Sequence, residues 1–166
     1  MPNHTKNDLE IRGPEDVLQK IKDLMFTKTD SVDESPNYFD LNNVVPMPPE
    51  IIDSVNGRDP GLNPDWYDWS VNNWGTKWNT YNTDTGFWNV LEASERILSF
   101  WFETAWSPPE PVVEELARRF PTAKFMHHYV DEGGGYDGII IYTEGEIAGV
   151  LDVQAHKKEF KERFGF

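Results

Sequence analysis

Residues 97–104, Ile-Leu-Ser-Phe-Trp-Phe-Glu-Thr, constrain the fold more than any other stretch of this chain. Leu98, Phe100 and Phe102 alternate with Ser99, Trp101 and Glu103, the period-two pattern of a strand buried on one face. Directly behind it, Pro108 and Pro109 open a predicted helix over 107–120, with Val112, Val113, Leu116, Ala117 and Phe120 as its apolar stripe. Arg118 and Arg119 suit the negative C-terminal end, and Pro121 stops the helix. A one-faced strand followed at once by an amphipathic helix calls for a sheet with helices packed on it.

Other segments extend the pattern. Leu9 and Ile11 alternate with Asp8, Glu10 and Arg12, which predicts a strand over 6–11. Gly13-Pro14 then opens a helix whose Val17, Leu18, Ile21, Leu24 and Met25 share a face. Residues 27–62, rich in Asp, Asn, Ser and Pro, read as a long, mostly irregular insertion pinned by Phe39, Leu41, Val44, Val45 and Met47. Asn63-Pro64-Asp65 marks a further helix start with Asn63 as cap, and Gly75 ends that helix. A strand is expected over 77–81, with Trp78 and Thr80 facing one way, while 86–95 reads as a short helix or a loop. Strands are expected over 124–130, 138–143 and 146–151, the last two as a hairpin around Glu144-Gly145. An amphipathic helix over 153–164 closes the chain.

With the insertion removed, the order is β-α-β-β-α-β followed by a hairpin and a helix. That predicts an α+β fold of the ferredoxin-like split βαβ type, an antiparallel sheet with both helices on one face. The expected organisation is a single domain, 1–166: a core from 1–26 and 76–145, an insertion over 27–75 and an extension over 146–166.

Charge is spread unevenly. Of the net charge of −14, residues 29–76 contribute −8 (nine acids against Arg58) and residues 125–156 contribute −6 with no base. Such fields repel phosphates, so nucleic acid is an unfavoured partner. High charge also simply keeps a protein soluble, and that plain reading stands beside a patch that captures a basic partner. Without cysteine there is no disulfide or thiolate chemistry. The start lacks the apolar run of a signal peptide, and no run approaches the roughly 20 apolar residues of a membrane span. The expectation is a soluble, cytoplasmic protein with no membrane partner.

Trp74-Gly75-Thr76-Lys77-Trp78-Asn79 and Thr104-Ala105-Trp106-Ser107-Pro108-Pro109 carry bulky aromatics in short polar segments. Read structurally, Gly75 caps a helix, Trp78 packs in a strand and the prolines start a helix. Read functionally, Trp74, Lys77, Trp78 and Trp106 form a groove in which aromatic faces and a cation hold a small ligand or a peptide. His127 and His128, as strand neighbours, point to opposite faces and cannot share a metal. An acid–base pairing of His128 with Glu132 is chemically open, though no nucleophile accompanies it. Glycines 133–135 lack the Lys-Ser/Thr of a phosphate loop. Asp131, Glu132 and Asp137 flank them without EF-hand spacing, so neither a metal nor a cofactor is expected.

Met1-Pro2-Asn3-His4 with Asn7 and Leu9, Phe39-Asp40-Leu41-Asn42 with Val45-Pro46-Met47-Pro48, and the two tryptophan motifs together resemble the YubB-like family of plasmid- and phage-borne proteins with a ferredoxin-like domain. The resemblance runs in order from residue 1 to about 145 and is weakest over the glycine triplet and 146–166. It implies the fold and a mobile-element setting. It implies no activity, because the family has no assigned function or catalytic residues.

Two functions are consistent with these residues. The first is a non-enzymatic accessory protein of a mobile element that binds a protein partner, basic in character, through Trp74, Lys77, Trp78, Trp106, Asp131 and Glu132. The second is a small-molecule-binding or hydrolytic protein using the tryptophan-lined groove, which a pocket holding both Lys77 and His128 would favour.

Overall fold

The computed structural model describes residues 3–27, 38–52, 65–83, 87–90 and 96–151. The expected 153–164 helix lies outside the described residues. In chain order the elements are β1 (His4–Gly13), α1 (Glu15–Met25), β2 (Phe26–Thr27), β3 (Tyr38–Phe39), α2 (Leu41–Val44), α3 (Pro49–Ile52) and α4 (Trp66–Asn73). They continue with β4 (Phe87–Val90), β5 (Arg96–Ala105), α5 (Glu110–Arg119), β6 (Lys124–Asp131), β7 (Asp137–Thr143) and β8 (Glu146–Leu151).

Six strands form one sheet in the order β4-β5-β1-β6-β7-β8, antiparallel at every step. β5 lies between β1 and β4, and β1 lies between β5 and β6. Each half is thus a βαβ unit split by a strand of the other, the ferredoxin-like arrangement expected from element order. The β7–β8 hairpin widens the sheet beyond that core.

Alternation decides which face each residue takes. Leu9 and Ile11 of β1, Leu98, Phe100 and Phe102 of β5, Phe125 of β6, and Ile140 and Tyr142 of β7 form one buried cluster with Leu18, Ile21 and Met25 of α1. Val112, Val113, Leu116 and Ala117 of α5 join the same cluster. Trp101 is 43% exposed on the opposite face, as its alternation with Phe100 and Phe102 requires. Arg119 donates to Val44 O at 2.7 Å, tying the end of α5 to α2.

The structure corrects several expectations. Residues 77–81 do not form a strand, and only Tyr81 bridges to Glu103. Side chains capture the backbone there: Asn79 Oδ1 accepts from Leu41 N and Thr80 N, and Thr80 Oγ1 donates to Phe39 O. The paired strand is Phe87–Val90, within the stretch that read as helix or loop. Helix α4 is capped by Asp65, whose carboxylate accepts from Asp68 N at 3.0 Å, rather than by Asn63. Helix α5 starts at Glu110 with Pro109 as its N-cap, not at Ser107. The insertion, read as mostly irregular, contains β3, α2 and α3 among its described residues, and β3 pairs with β2 at the end of the core segment. Of its expected anchors, Phe39, Leu41, Val44 and Met47 are buried and Val45 is half-buried.

Candidate functional site

The two tryptophan motifs meet in space. α4 ends at Asn73, and the Trp74 backbone N–H still donates to Ser70 O at 2.8 Å. Gly75 follows at φ 77°, the left-handed conformation that ends a helix at little cost only for glycine. A Cβ at Gly75 would also lie 2.8 Å from Cδ of Pro111, so the first turn of α5 leaves no room for a side chain. Ser107 Oγ donates to Gly75 O, and Thr76 Oγ1 donates to Ala105 O at 2.8 Å. The 74–79 run is thereby stitched to the end of β5.

This stitching places Lys77 between two indoles. Its ammonium lies 4.5 Å from the Trp78 ring centroid and 4.6 Å from that of Trp106. Trp78 is 36% exposed and Trp106 is 40% exposed. Trp106 has φ 73°, an unusual conformation for a bulky residue. Its N–H donates to Asn3 O at 3.0 Å, and its carbonyl accepts from the Tyr136 hydroxyl. Tyr67 of α4 meets the Trp106 ring edge-on at 5.9 Å. The surroundings therefore fix an exposed indole in a strained backbone, a cost usually met where a residue has a task. Each exposed cation–π contact is worth about 0.5–1 kcal/mol, enough to hold the two rings as one patch.

Trp74 does not join that patch. It is buried, meets Trp69 edge-on at 5.4 Å, and donates its indole N–H to Val45 O at 2.8 Å. It instead forms part of the wall of a pocket of about 440 Å³, with Trp66 and Trp78, the apolar Met47 and Ile52, and the polar Asp40, Asn42, Ser70 and Asn79. Asp40 Oδ1 accepts from Asn42 N at 2.9 Å and Asn79 Nδ2 at 2.7 Å. The expected groove is thus two adjoining features that share Trp78. The pocket wall contains neither Lys77 nor His128.

Asp131 and Glu132 lie apart in role. Asp131 is buried, and its Oδ2 accepts from Gly135 N at 3.0 Å, so it organises the glycine turn. Glu132 is exposed and accepts from His4 N at 3.1 Å. His128 is bonded to Asp137 Oδ1 at 2.9 Å rather than to Glu132. His127 is fully buried, with Nε2 3.0 Å from Asn7 Oδ1 and Nδ1 without a partner. Burial, and secondarily the neighbouring His128, push its pKa down to about 3. Tyr81 lies 2.6 Å from His4 Nδ1, and burial followed by the charges of Glu103 and Glu132 raises its pKa to about 12. Among the described residues no three His, Asp or Glu side chains are grouped to hold a metal ion, and no helix is long and apolar enough to cross a membrane.

Sequence reasoning missed the far wall of the pocket, Asp40, Asn42, Ile52, Trp66, Ser70 and Asn79. In the sequence, Asp40-Leu41-Asn42 is marked only by the family resemblance, with Leu41 as an anchor.

Sheet order and helix placement together define a ferredoxin-like α+β protein, and Trp78 and Trp106 lie exposed on its surface. The chain belongs to the Api92-like family: residues 73–164 match the family described as the ferredoxin-like domain in Api92-like protein. β1 and α1 lie before the matched region, yet β1 sits near the centre of the sheet. The crystal structure of protein Api92 from Yersinia pseudotuberculosis is similar in fold, with a TM-score of 0.69 at 11% identity over 93% of this chain and 99% of that one. None of the curated proteins compared with the chain matches it.

Proposed function

We propose that this protein is a non-enzymatic, cytoplasmic accessory protein of a mobile genetic element, a phage or plasmid, and that it acts by binding a basic protein partner. The observation that carries this reading is the Trp78–Lys77–Trp106 patch, two exposed indoles held around one ammonium. Tryptophan is the residue type most enriched among binding hot spots. The sequence stretch before it, residues 29–76, sums to −8, a balance that attracts a basic surface and repels nucleic acid. The mobile-element setting rests on the YubB-like resemblance.

The test is capture from host lysate at physiological salt, comparing the wild-type chain with a Trp78→Leu/Trp106→Ser variant. A basic protein retained by the first and lost by the second is expected. Tight binding of DNA or RNA with no protein retained would contradict the reading. Small-molecule binding remains the second reading, favoured by the 440 Å³ pocket, which falls in the usual range for ligand sites.

A further inference from the structure

The last strand, β8, ends the sheet with an open apolar edge. Among the described residues it pairs with β7 alone, so the N–H and C=O groups on its other side have no strand partner there. Its register with β7 shifts between Ile141 and Tyr142: Ile141 lies opposite Gly149, and Tyr142 lies opposite Ile147. Ala148 is the extra residue, as in a β-bulge. Without that shift Ile147 and Val150, three positions apart, would point to opposite faces. With it they lie opposite Tyr142 and Ile140, both members of the core cluster, and so share the helix side of the sheet. At 50% and 62% exposure they are the two most exposed large apolar side chains among the described residues. The edge is held in place, because the β7–β8 turn packs on the end of α5. A Cβ on Gly145 would lie 3.4 Å from Pro121 Cβ and 3.5 Å from Ala117 O.

The surroundings of this edge are acidic. Residues 125–151, all described, hold Asp131, Glu132, Asp137, Glu144 and Glu146 and no lysine or arginine. Glu144 and Glu146 stand at the start of the edge, and Glu110 and Glu114 lie on α5. Burial, then the charges of Glu110 and Glu114, raise the pKa of Tyr142, so both carboxylates act on the same part of the sheet. None of these four glutamates pairs with a lysine or arginine among the described residues, and Arg118 and Arg119 are both engaged by Glu115. At the other end of β8, Val150 and Leu151 border a pocket of about 580 Å³ with Tyr129, Tyr136 and Gly138. The Tyr136 hydroxyl donates to Trp106 O, so this surface continues from the aromatic patch.

We propose that β8 accepts an extended, basic segment of the protein partner as a further strand of the sheet, an inference that rests on the protein-binding reading above. The open backbone supplies the hydrogen bonds, and side chains at alternate positions supply selectivity. Apolar residues of the added strand lie beside Ile147 and Val150 on the helix side. Its alternate residues face the side of Glu146, where lysine or arginine is favoured. A second copy of this chain is the poorer occupant, because β8 against β8 brings two acidic edges together on molecules of net charge −14.

The test uses the full chain and three short peptides: one alternating valine with lysine, one alternating valine with glutamate, and the lysine peptide methylated at every backbone nitrogen. The lysine peptide should bind about tenfold or more tighter than either of the others. Hydrogen exchange read by mass spectrometry should show it protecting 146–151 and leaving the opposite edge, 87–90, unchanged. Val150→Lys and Ile147→Lys, both at exposed sites, should each weaken that binding with little change in melting temperature, while Val71→Lys on α4 should leave it intact. Equal binding of the three peptides, no binding, protection elsewhere, or indifference to both β8 substitutions would overturn the inference. So would self-association of the chain that protects 146–151 and is lost in Val150→Lys, since the occupant would then be a second copy. If Val150→Lys still captures the lysate partner and the lysine peptide does not bind, the edge assignment fails and the aromatic-patch reading survives. If the peptide protects 146–151 but Trp78→Leu/Trp106→Ser captures the partner undiminished, the patch reading fails and the edge assignment survives.

Discussion

His127 and His128 sit side by side on β6, and the alternation of the strand sends one into the core and the other to the surface. His127 stacks on Phe102 at 6.4 Å and is held neutral, its pKa down at about 3. In the unfolded chain the same group protonates near pH 6.5. Between those values the unfolded state binds more protons, so stability falls as pH drops from about 6.5 toward 3, by roughly 1.4 kcal/mol per pH unit. Above pH 6.5 this contribution is fully present. His127→Gln, which keeps a donor for Asn7, should flatten that part of the profile in urea melts at pH 7 and 4.5, and an unchanged slope would place the acid sensitivity elsewhere. The opposed faces of the two histidines were legible from period two alone. The identity of their partners was not, because Asn7 lies 120 positions from His127 and meets it only through strand pairing. The left-handed glycine at 75 was likewise legible, but Trp106 at φ 73° was not, since no local preference puts a tryptophan there.

Elements with strong internal periodicity were read correctly, and those defined by remote partners were not. β5 and β6 follow their alternation, and the apolar stripes of α1 and α5 face the sheet. Phe100→Ala should cost about 3–5 kcal/mol in urea melts, because it empties a site packed against Phe26, Phe39 and Phe102. Ser99→Ala on the other face should cost little, and equal effects would refute the assigned face. The 77–81 segment shows the opposite case. Its alternation resembled a strand, yet the side chains of Asn79 and Thr80 bind the backbone near Phe39 and Leu41 and hold the segment off the sheet. The same bonds help to build the pocket, whose walls are drawn from positions as far apart as Asp40 and Asn79. No sequence window contains that information.

At the scale of the whole molecule, the proposed function assigns the partner's approach to the acidic blocks and its residence time to the aromatic patch. Asp131, expected as part of the acidic contact surface, is committed to the glycine turn, so charge reversal there would disturb the fold. Exposed Glu50 and Asp68, on helices that contribute Ile52 and Trp66 to the pocket wall, are the better probes. Glu50→Lys with Asp68→Lys should slow association with the captured partner, and the difference should shrink as salt rises, since the screening length falls from about 10 Å at 0.1 M to about 3 Å at 1 M. An effect confined to dissociation would contradict electrostatic steering. The central claim is that the Trp78–Lys77–Trp106 patch is the anchor, and the molecule contains its own control. Trp101 is 43% exposed and Trp106 is 40% exposed, so the two offer similar indole surface on different parts of the protein. The decisive measurement is the partner's affinity for Trp106→Ser beside Trp101→Ser. The account predicts a loss of about 2 kcal/mol or more for the first, roughly thirtyfold, and little change for the second. Equal losses, or a larger loss at Trp101, would contradict it.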